Sequence, residues 1–165
     1  MRARTIAVAT AAAVGLLLAG CAHADPLPAD PDERLAVVKA TVQRAELRTI
    51  HALPSTQVGS VRQLSTGSFL DCSSGVRWSG NIRATLSEGV DATAAQQRIA
   101  ETFATRDGYD VSEDPLRRGD VRVQIIDPDG VQLLVTIWDD GTVIDVISGS
   151  ACFGLPQDFD LPYEY

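Results

Sequence analysis

The stretch that decides the fold is residues 121–149, VRVQIIDPDGVQLLVTIWDDGTVIDVISG. Three runs rich in apolar and β-branched residues are separated by two short turns, and each turn contains an Asp-Gly pair. Such pairs adopt the backbone conformations that tight hairpins require. The stretch therefore predicts a meander of three consecutive antiparallel strands.

Two helical patterns and one further strand pattern precede this meander. Residues 33–53 and 91–107 repeat apolar residues at helical spacing, with Asp91 as the N-cap of the second helix. Residues 76–86 alternate apolar and polar side chains, as a half-buried strand does. We interpret residues 54–75 as a loop with a short extended piece, SFLDC. The predicted fold is α+β: an N-terminal helix, then strand, helix and strand, then the meander, with helices packed on a mostly antiparallel sheet.

The middle run of the meander, residues 131–138, is apolar on both faces. A strand of this kind is normally covered on both sides, so two covering elements are expected. The helix over residues 91–107 is one of them. For the other we expect the N-terminal helix, which leaves the C-terminal tail free for contacts; the alternative is that the tail itself is the cover.

The charge of the chain excludes some classes of partner. The 165 residues carry a formal net charge of −8. Removal of residues 1–20 takes away two arginines and no acid, which lowers the charge to −10. Such a charge argues against nucleic acid as a partner and against electrostatic docking on anionic lipid.

The beginning of the chain has the pattern of an export signal. A basic MRAR segment precedes an apolar run that is shorter than the roughly 20 residues needed to span a bilayer. Leu18-Ala19-Gly20-Cys21 resembles the lipobox of bacterial lipoproteins. The resemblance implies that residues 1–20 are a signal peptide, that the chain is cut before Cys21 and that Cys21 carries a diacylglycerol.

The wider layout is similar to that of small actinobacterial lipoproteins, in which a lipobox and a tether precede one compact domain. Residues 21–32 are rich in proline and aspartate and form the expected tether, and residues 54–165 form the expected α+β domain. This resemblance implies anchoring in the cell membrane through lipid, with the domain on the extracytoplasmic face. No specific family is identified for the globular part.

Assignment of Cys21 to lipid leaves an even pair of cysteines, Cys72 and Cys152. In an oxidising compartment such a pair forms a disulfide, which is our prediction. Two buried free thiols are the alternative.

The sequence offers no group of residues arranged for catalysis or for a cofactor. Its two histidines lie in the tether and in the first helix, and it has no glycine-rich phosphate loop. The Asp-Gly turns lack the further ligands of a calcium loop. We therefore expect neither enzymatic activity nor a metal or cofactor, and a hydrolase without a recognisable motif is the least favoured alternative.

Aromatic residues are the remaining candidates for a working surface. These are Trp78, Trp138, Phe159, Tyr163 and Tyr165. For the two tryptophans, packing in the core is the competing interpretation. The sequence favours a non-catalytic protein-interaction or accessory module with an envelope protein as its partner. The alternative is a carrier or sensor of a small apolar or lipid ligand held between helix and sheet.

Overall fold

A computed structural model describes residues 26–165 of the chain. The predicted signal peptide (1–20), the lipidation site Cys21 and the first part of the predicted tether lie outside the described residues. These three assignments therefore stay predictions.

The described chain has an α+β fold, as predicted. Its helices are α1 (Pro31–Ile50) and α2 (Ala92–Ala104). Its strands are, in chain order, β1 (Val58–Gln63), β2 (Ser68–Cys72), β3 (Gly75–Leu86), β4 (Asp110–Pro115), β5 (Val121–Ile126), β6 (Gln132–Trp138) and β7 (Val143–Gly149). The meander predicted from residues 121–149 is formed by β5, β6 and β7.

The seven strands form one antiparallel sheet. Its order is β1-β3-β7-β6-β5-β4, and β2 pairs with β3 next to the part that β1 occupies. The contact between β3 and β7 joins residues 58 to 70 positions apart, from Thr85–Val143 to Ser79–Gly149. This pairing attaches the meander to the first half of the chain.

Strand β1 lies in a segment that the sequence predicted to be loop. Its residues Val58–Gln63 are mostly exposed and do not alternate, because the strand is held by pairing with β3 rather than by burial of one face. The register shifts between Val58 and Ser60, around Gly59. Strand β2, in contrast, coincides with the extended piece predicted at SFLDC.

Both helices pack on the same face of the sheet, so the prediction of one cover on each face is wrong. Alternate strand residues on this face are at most 2% exposed: Ile82, Ala84, Val123, Ile125, Leu133, Val135, Ile144 and Val146. Helix α1 contributes Leu35, Val38 and Val42 to the same core, and α2 contributes Ala95, Ile99 and Phe103. The N-terminal helix is therefore part of the domain core.

Two aspartates fix local structure in the way the sequence indicated. Asp91 caps α2, since its Oδ1 accepts hydrogen bonds from the backbone N–H groups of Thr93 and Ala94. In the β5–β6 turn, Asp127 Oδ1 accepts bonds from the N–H groups of Asp129 and Val131. The first Asp-Gly segment is thus a hairpin turn.

A carboxyl group is buried beneath α1. Glu46 accepts hydrogen bonds from the Ser148 hydroxyl and from Gln63 Nε2, the latter at 2.6 Å. Among the described side chains, no cation pairs with it. Burial raises the pKa of Glu46, although the two hydrogen bonds oppose this rise. Gly80 makes room for the group, because a Cβ there would lie 2.7 Å from Glu46 Oε1.

One end of the sheet is closed by a disulfide and by the tail. Cys72 and Cys152 are joined, with their Cα atoms 6.2 Å apart, which confirms the predicted pairing. Tyr165 exchanges two backbone hydrogen bonds with Gly67, and its carbonyl oxygen also accepts the indole N–H of Trp78 at 3.0 Å. The end of the tail is therefore a cover over the core, contrary to the expectation that the tail is free.

Candidate binding surface

The face of the sheet opposite the helices is the candidate binding surface, and we call it the open face. Neither α1 nor α2 packs on it. Residues that alternate with the core positions point to this side. They include Arg77, Asn81, Arg83, Arg122, Gln124, Gln132, Leu134, Thr136, Trp138, Asp145 and Ile147. Two large apolar side chains among them are strongly exposed, Trp138 at 48% and Ile147 at 45%.

A split in the sheet opens next to these apolar residues. The pairing of β5 with β6 ends at Val123 and Val135. Beyond this point β5 continues in contact with β4 alone, and β6 continues in contact with β7 alone. The side chain of Gln96, from α2, bridges the split and donates hydrogen bonds to the carbonyl oxygens of Val121 and Val135 at 3.0 and 2.9 Å.

The split is the floor of a groove of about 970 Å³, which we call the β5–β6 groove. Its apolar lining includes Leu116, Val121, Leu134, Trp138 and Ile147. Among the described side chains, its charged lining residues are Asp91, Asp120, Asp139, Asp140 and Arg122. Since Arg122 pairs with Asp114, the remaining charge of these described lining residues is negative, and we call the four aspartates the rim.

The rim includes a strained turn. Asp139 and Asp140 both have positive φ angles, 51° and 52°, ahead of Gly141 in the β6–β7 connection. The left-handed region costs a non-glycine residue roughly 1–2 kcal/mol, although aspartate tolerates it better than most residues. Strained backbone of this kind is concentrated at functional sites. Here it holds two carboxylates beside Trp138.

The indole of Trp138 already accepts a cation. The Arg83 guanidinium lies 5.4 Å from the ring centroid, while its Nε donates to Asp145 at 2.6 Å. Asp145 is buried, and the amide of Asn81 also donates to it. Arg83 is thereby neutralised and held against Trp138, whose own N–H donates to Thr136 Oγ1.

The five aromatic residues proposed from the sequence do not form one surface. Trp78 is 1% exposed and lies in the core, so its interpretation as a surface residue is wrong. Phe159 and Tyr165 are partly buried against the core, and Tyr165 lies under the Lys39 ammonium group. Tyr163 is 92% exposed. Only Trp138 of the five lines the β5–β6 groove.

Several groove residues were not identified from the sequence. Leu134 carried a signal, because the run 131–138 is apolar on both faces, whereas Ile147 lies in β7, outside that run. Gln96 and Asp120 carried none, since one is a polar residue in a helix and the other lies in a turn. Their roles depend on the split between β5 and β6, which no local pattern encodes.

A second, smaller groove lies at the edge of α1. It has a volume of about 400 Å³ and runs between α1 and the segment after β7. Leu27, Val37, Val38, Ala151 and Phe153 are among its lining residues. A small apolar ligand could reach the helix–sheet boundary from solvent through this groove.

Three further features of residues 26–165 bear on function. No helix in this range is long and apolar enough to cross a membrane. No cluster of three or more His, Cys, Asp or Glu side chains in the same range has the geometry to hold a metal ion. Its one histidine, His51, lies exposed at the end of α1 and away from both grooves.

Comparisons with known proteins give limited information. No protein-family model matches the chain, and no curated protein sequence does. Among solved structures, the chain is similar to a DUF4853 family protein from Actinomyces odontolyticus ATCC 17982. The identity is 17% over 73% of this chain and 75% of that chain, with a TM-score of 0.43. A likeness of this extent carries no conclusion about function.

Proposed function

We propose that this protein is a lipid-anchored module on the extracytoplasmic face of the cell membrane. In this proposal it acts by binding another envelope protein, without catalysing a reaction. The anchor is the lipid on Cys21, and the binding surface is the open face with its β5–β6 groove. The observation that carries the proposal is the exposure of Trp138 and Ile147 on a sheet face that neither helix covers.

The exposed apolar area supports binding rather than packing within the chain. A sheet face in a monomeric domain is normally polar where it meets water, and contiguous exposed apolar side chains mark interaction sites. Trp138 and Ile147 lie on adjacent strands with the Thr136–Asp145 pair between them, and Leu134 is next to Ile147 in the β6–β7 register. Tryptophan is enriched among the residues that dominate binding energies at protein interfaces.

The alternative function, transport or sensing of a small apolar ligand, is supported by the smaller groove at α1. That groove is less than half the volume of the β5–β6 groove. Buried side chains from both helices and from the sheet form one core cluster at the boundary between them. We therefore favour the protein-binding function.

The anchor is tested by the variant Cys21→Ala. We expect loss of labelled fatty acid from the protein and its transfer from the membrane to the soluble or medium fraction, because the thioether to diacylglycerol cannot form. The protein with Cys72→Ala is the control and should still incorporate label. Incorporation of label by Cys21→Ala would contradict the anchor.

The binding surface is tested by photo-crosslinking in intact cells. A photoreactive phenylalanine analogue replaces Ile147 in one variant and Leu70 in the matched control. Leu70 is also exposed and lies on the same face, but at the closed end of the sheet. We expect a discrete adduct from position 147 that Trp138→Ala abolishes, and none from position 70. Equal labelling from both positions, or no adduct from position 147, would refute this surface.

A further inference from the structure

We propose that the β5–β6 groove binds an extended polypeptide segment that carries alternating apolar and basic side chains. This inference rests on the proposed function and specifies the chemistry of the partner. Three properties of the groove lead to it: the sign of its charge, the sheet split at its floor and the position of Trp138.

The charge of the lining selects a cationic partner. Among the described side chains, four aspartates and one arginine line the groove, and the arginine is already paired with Asp114. None of the four aspartates takes part in an ion pair between described side chains. Complementary charge steers association and discriminates against partners of the wrong sign. A segment with lysine or arginine therefore suits this groove, and an acidic segment does not.

The sheet split selects an extended segment. Around Val121 and Ile137 each strand is paired on its outer side only, so the inner sides of two extended backbones face the groove. Gln96 already takes two of the carbonyl oxygens there, which shows that an amide donor fits between the strands. An extended peptide presents main-chain donors and acceptors with the same strand spacing.

Trp138 gives the basic and apolar side chains of the partner a common contact. One cation, Arg83, already lies over its ring. An aromatic ring attracts a second ammonium or guanidinium group by the same electrostatic effect. Ile147 and the two aspartates of the strained turn line the same groove as Trp138 and supply an apolar contact and negative charge.

The test uses protein purified from membranes and placed in phosphatidylcholine nanodiscs, with empty nanodiscs as the blank. The probe is a blocked hexapeptide of alternating valine and lysine, and the comparison is its valine–glutamate counterpart. Binding is followed through protection of Trp138 fluorescence from acrylamide, because the other tryptophan, Trp78, is buried. We expect saturable protection by the lysine peptide, weakened at high salt, and none by the glutamate peptide.

Charge-neutral variants examine the rim directly. The triple variant Asp120→Asn, Asp139→Asn and Asp140→Asn retains the turn, since asparagine tolerates the left-handed region. Three exposed ion pairs lost together should weaken binding of the lysine peptide about tenfold. The control, Asp158→Asn with Asp160→Asn and Glu164→Gln, neutralises three exposed acids of the tail and should leave affinity unchanged.

The outcomes separate this inference from the proposed function. Three results would overturn the inference, because none fits a groove that binds a basic peptide. They are equal binding of the lysine and glutamate peptides, unchanged affinity for the lysine peptide after neutralisation of the rim, and protection of Trp138 by spermidine equal to that by the lysine peptide. A position-147 adduct in cells together with any of these results would leave the proposed function standing. Lysine-peptide binding without an adduct in cells would support the groove chemistry and refute the proposed function.

Discussion

The two tryptophans of this protein lie on β3 and β6 of one sheet and have opposite environments. Trp78 is on the helix side, beneath Tyr165 and against the space left by Gly80. Trp138 is on the open face, beside a split in the sheet and under one arginine. In the sequence, each tryptophan lies within a run that is predicted to be a strand. The difference shows that the role of each tryptophan depends on the face of the sheet that it occupies and not on its residue type. On the helix side the side chain packs in the core, and on the open face it is a candidate for binding.

The same contrast extends to the regions around them. The Trp78 end is held by the disulfide, by the pairing of Tyr165 with Gly67 and by the hydrogen bonds to Glu46. At the Trp138 end, β5 and β6 separate and two aspartates adopt strained conformations. Covalent and hydrogen-bonded links thus hold one end of the sheet, whereas the strands separate at the other end, where we propose the binding groove.

The largest expected effect is removal of the disulfide from the closed end. Cys72 and Cys152 are 80 positions apart, so the bond restricts a long loop in the unfolded chain. On the chain-entropy model its loss costs about 4.5 kcal/mol. Denaturant unfolding of the double variant Cys72→Ala/Cys152→Ala measures the loss. A decrease below about 1 kcal/mol would show that this end is held chiefly by packing.

The second prediction compares the tryptophans directly. Trp78→Ala leaves a cavity in the core and should lower the free energy of unfolding by about 3–5 kcal/mol. Trp138→Ala removes an exposed side chain, and its cost should stay within about 1 kcal/mol. Urea unfolding of the two single variants gives both values. Similar losses would contradict the assignment of Trp138 to an exposed surface.

The third prediction concerns pH and Glu46. Because burial raises the pKa of this carboxyl, the folded chain binds its proton more tightly than the unfolded chain. Wild-type stability should therefore fall, relative to Glu46→Gln, as pH rises from the ordinary glutamate pKa through the folded pKa. Each tenfold difference in proton affinity between the two states is worth about 1.4 kcal/mol.

Unfolding measured from pH 4 to pH 8 records this difference. The matched control is Glu101→Gln, which changes an exposed glutamate on α2 and should show no comparable trend. A constant difference between wild type and Glu46→Gln across the range would mean that the carboxyl has the same proton affinity in both states.

Local sequence patterns predicted much of the fold and little of the candidate site. The meander, both helices and β3 have regular apolar spacing, and the Cys72–Cys152 pair follows from counting cysteines. Strand β1 has no such spacing because few of its side chains are buried, so only its partner β3 makes it a strand.

The site was harder to predict because it depends on contacts between distant segments. Apolar residues on both sides of β6 predicted a second cover, but the pattern cannot show whether that cover belongs to the same chain. Likewise, the sequence gives Trp78 and Trp138 the same strand context. Their faces are decided by the β3–β7 and β6–β7 registers and by where two helices lie.

The last strand of the sheet order, β4, has a consequence for behaviour at high concentration. Its exposed residues include Asp110 and Glu113, and it ends at Pro115, which has no backbone N–H. Negative charge and proline at a sheet edge disfavour edge-to-edge association, which is how β-proteins begin to form fibrils. At high concentration, copies of this domain therefore repel one another along β4. Pairing of β4 edges does not divert the protein from binding its partners.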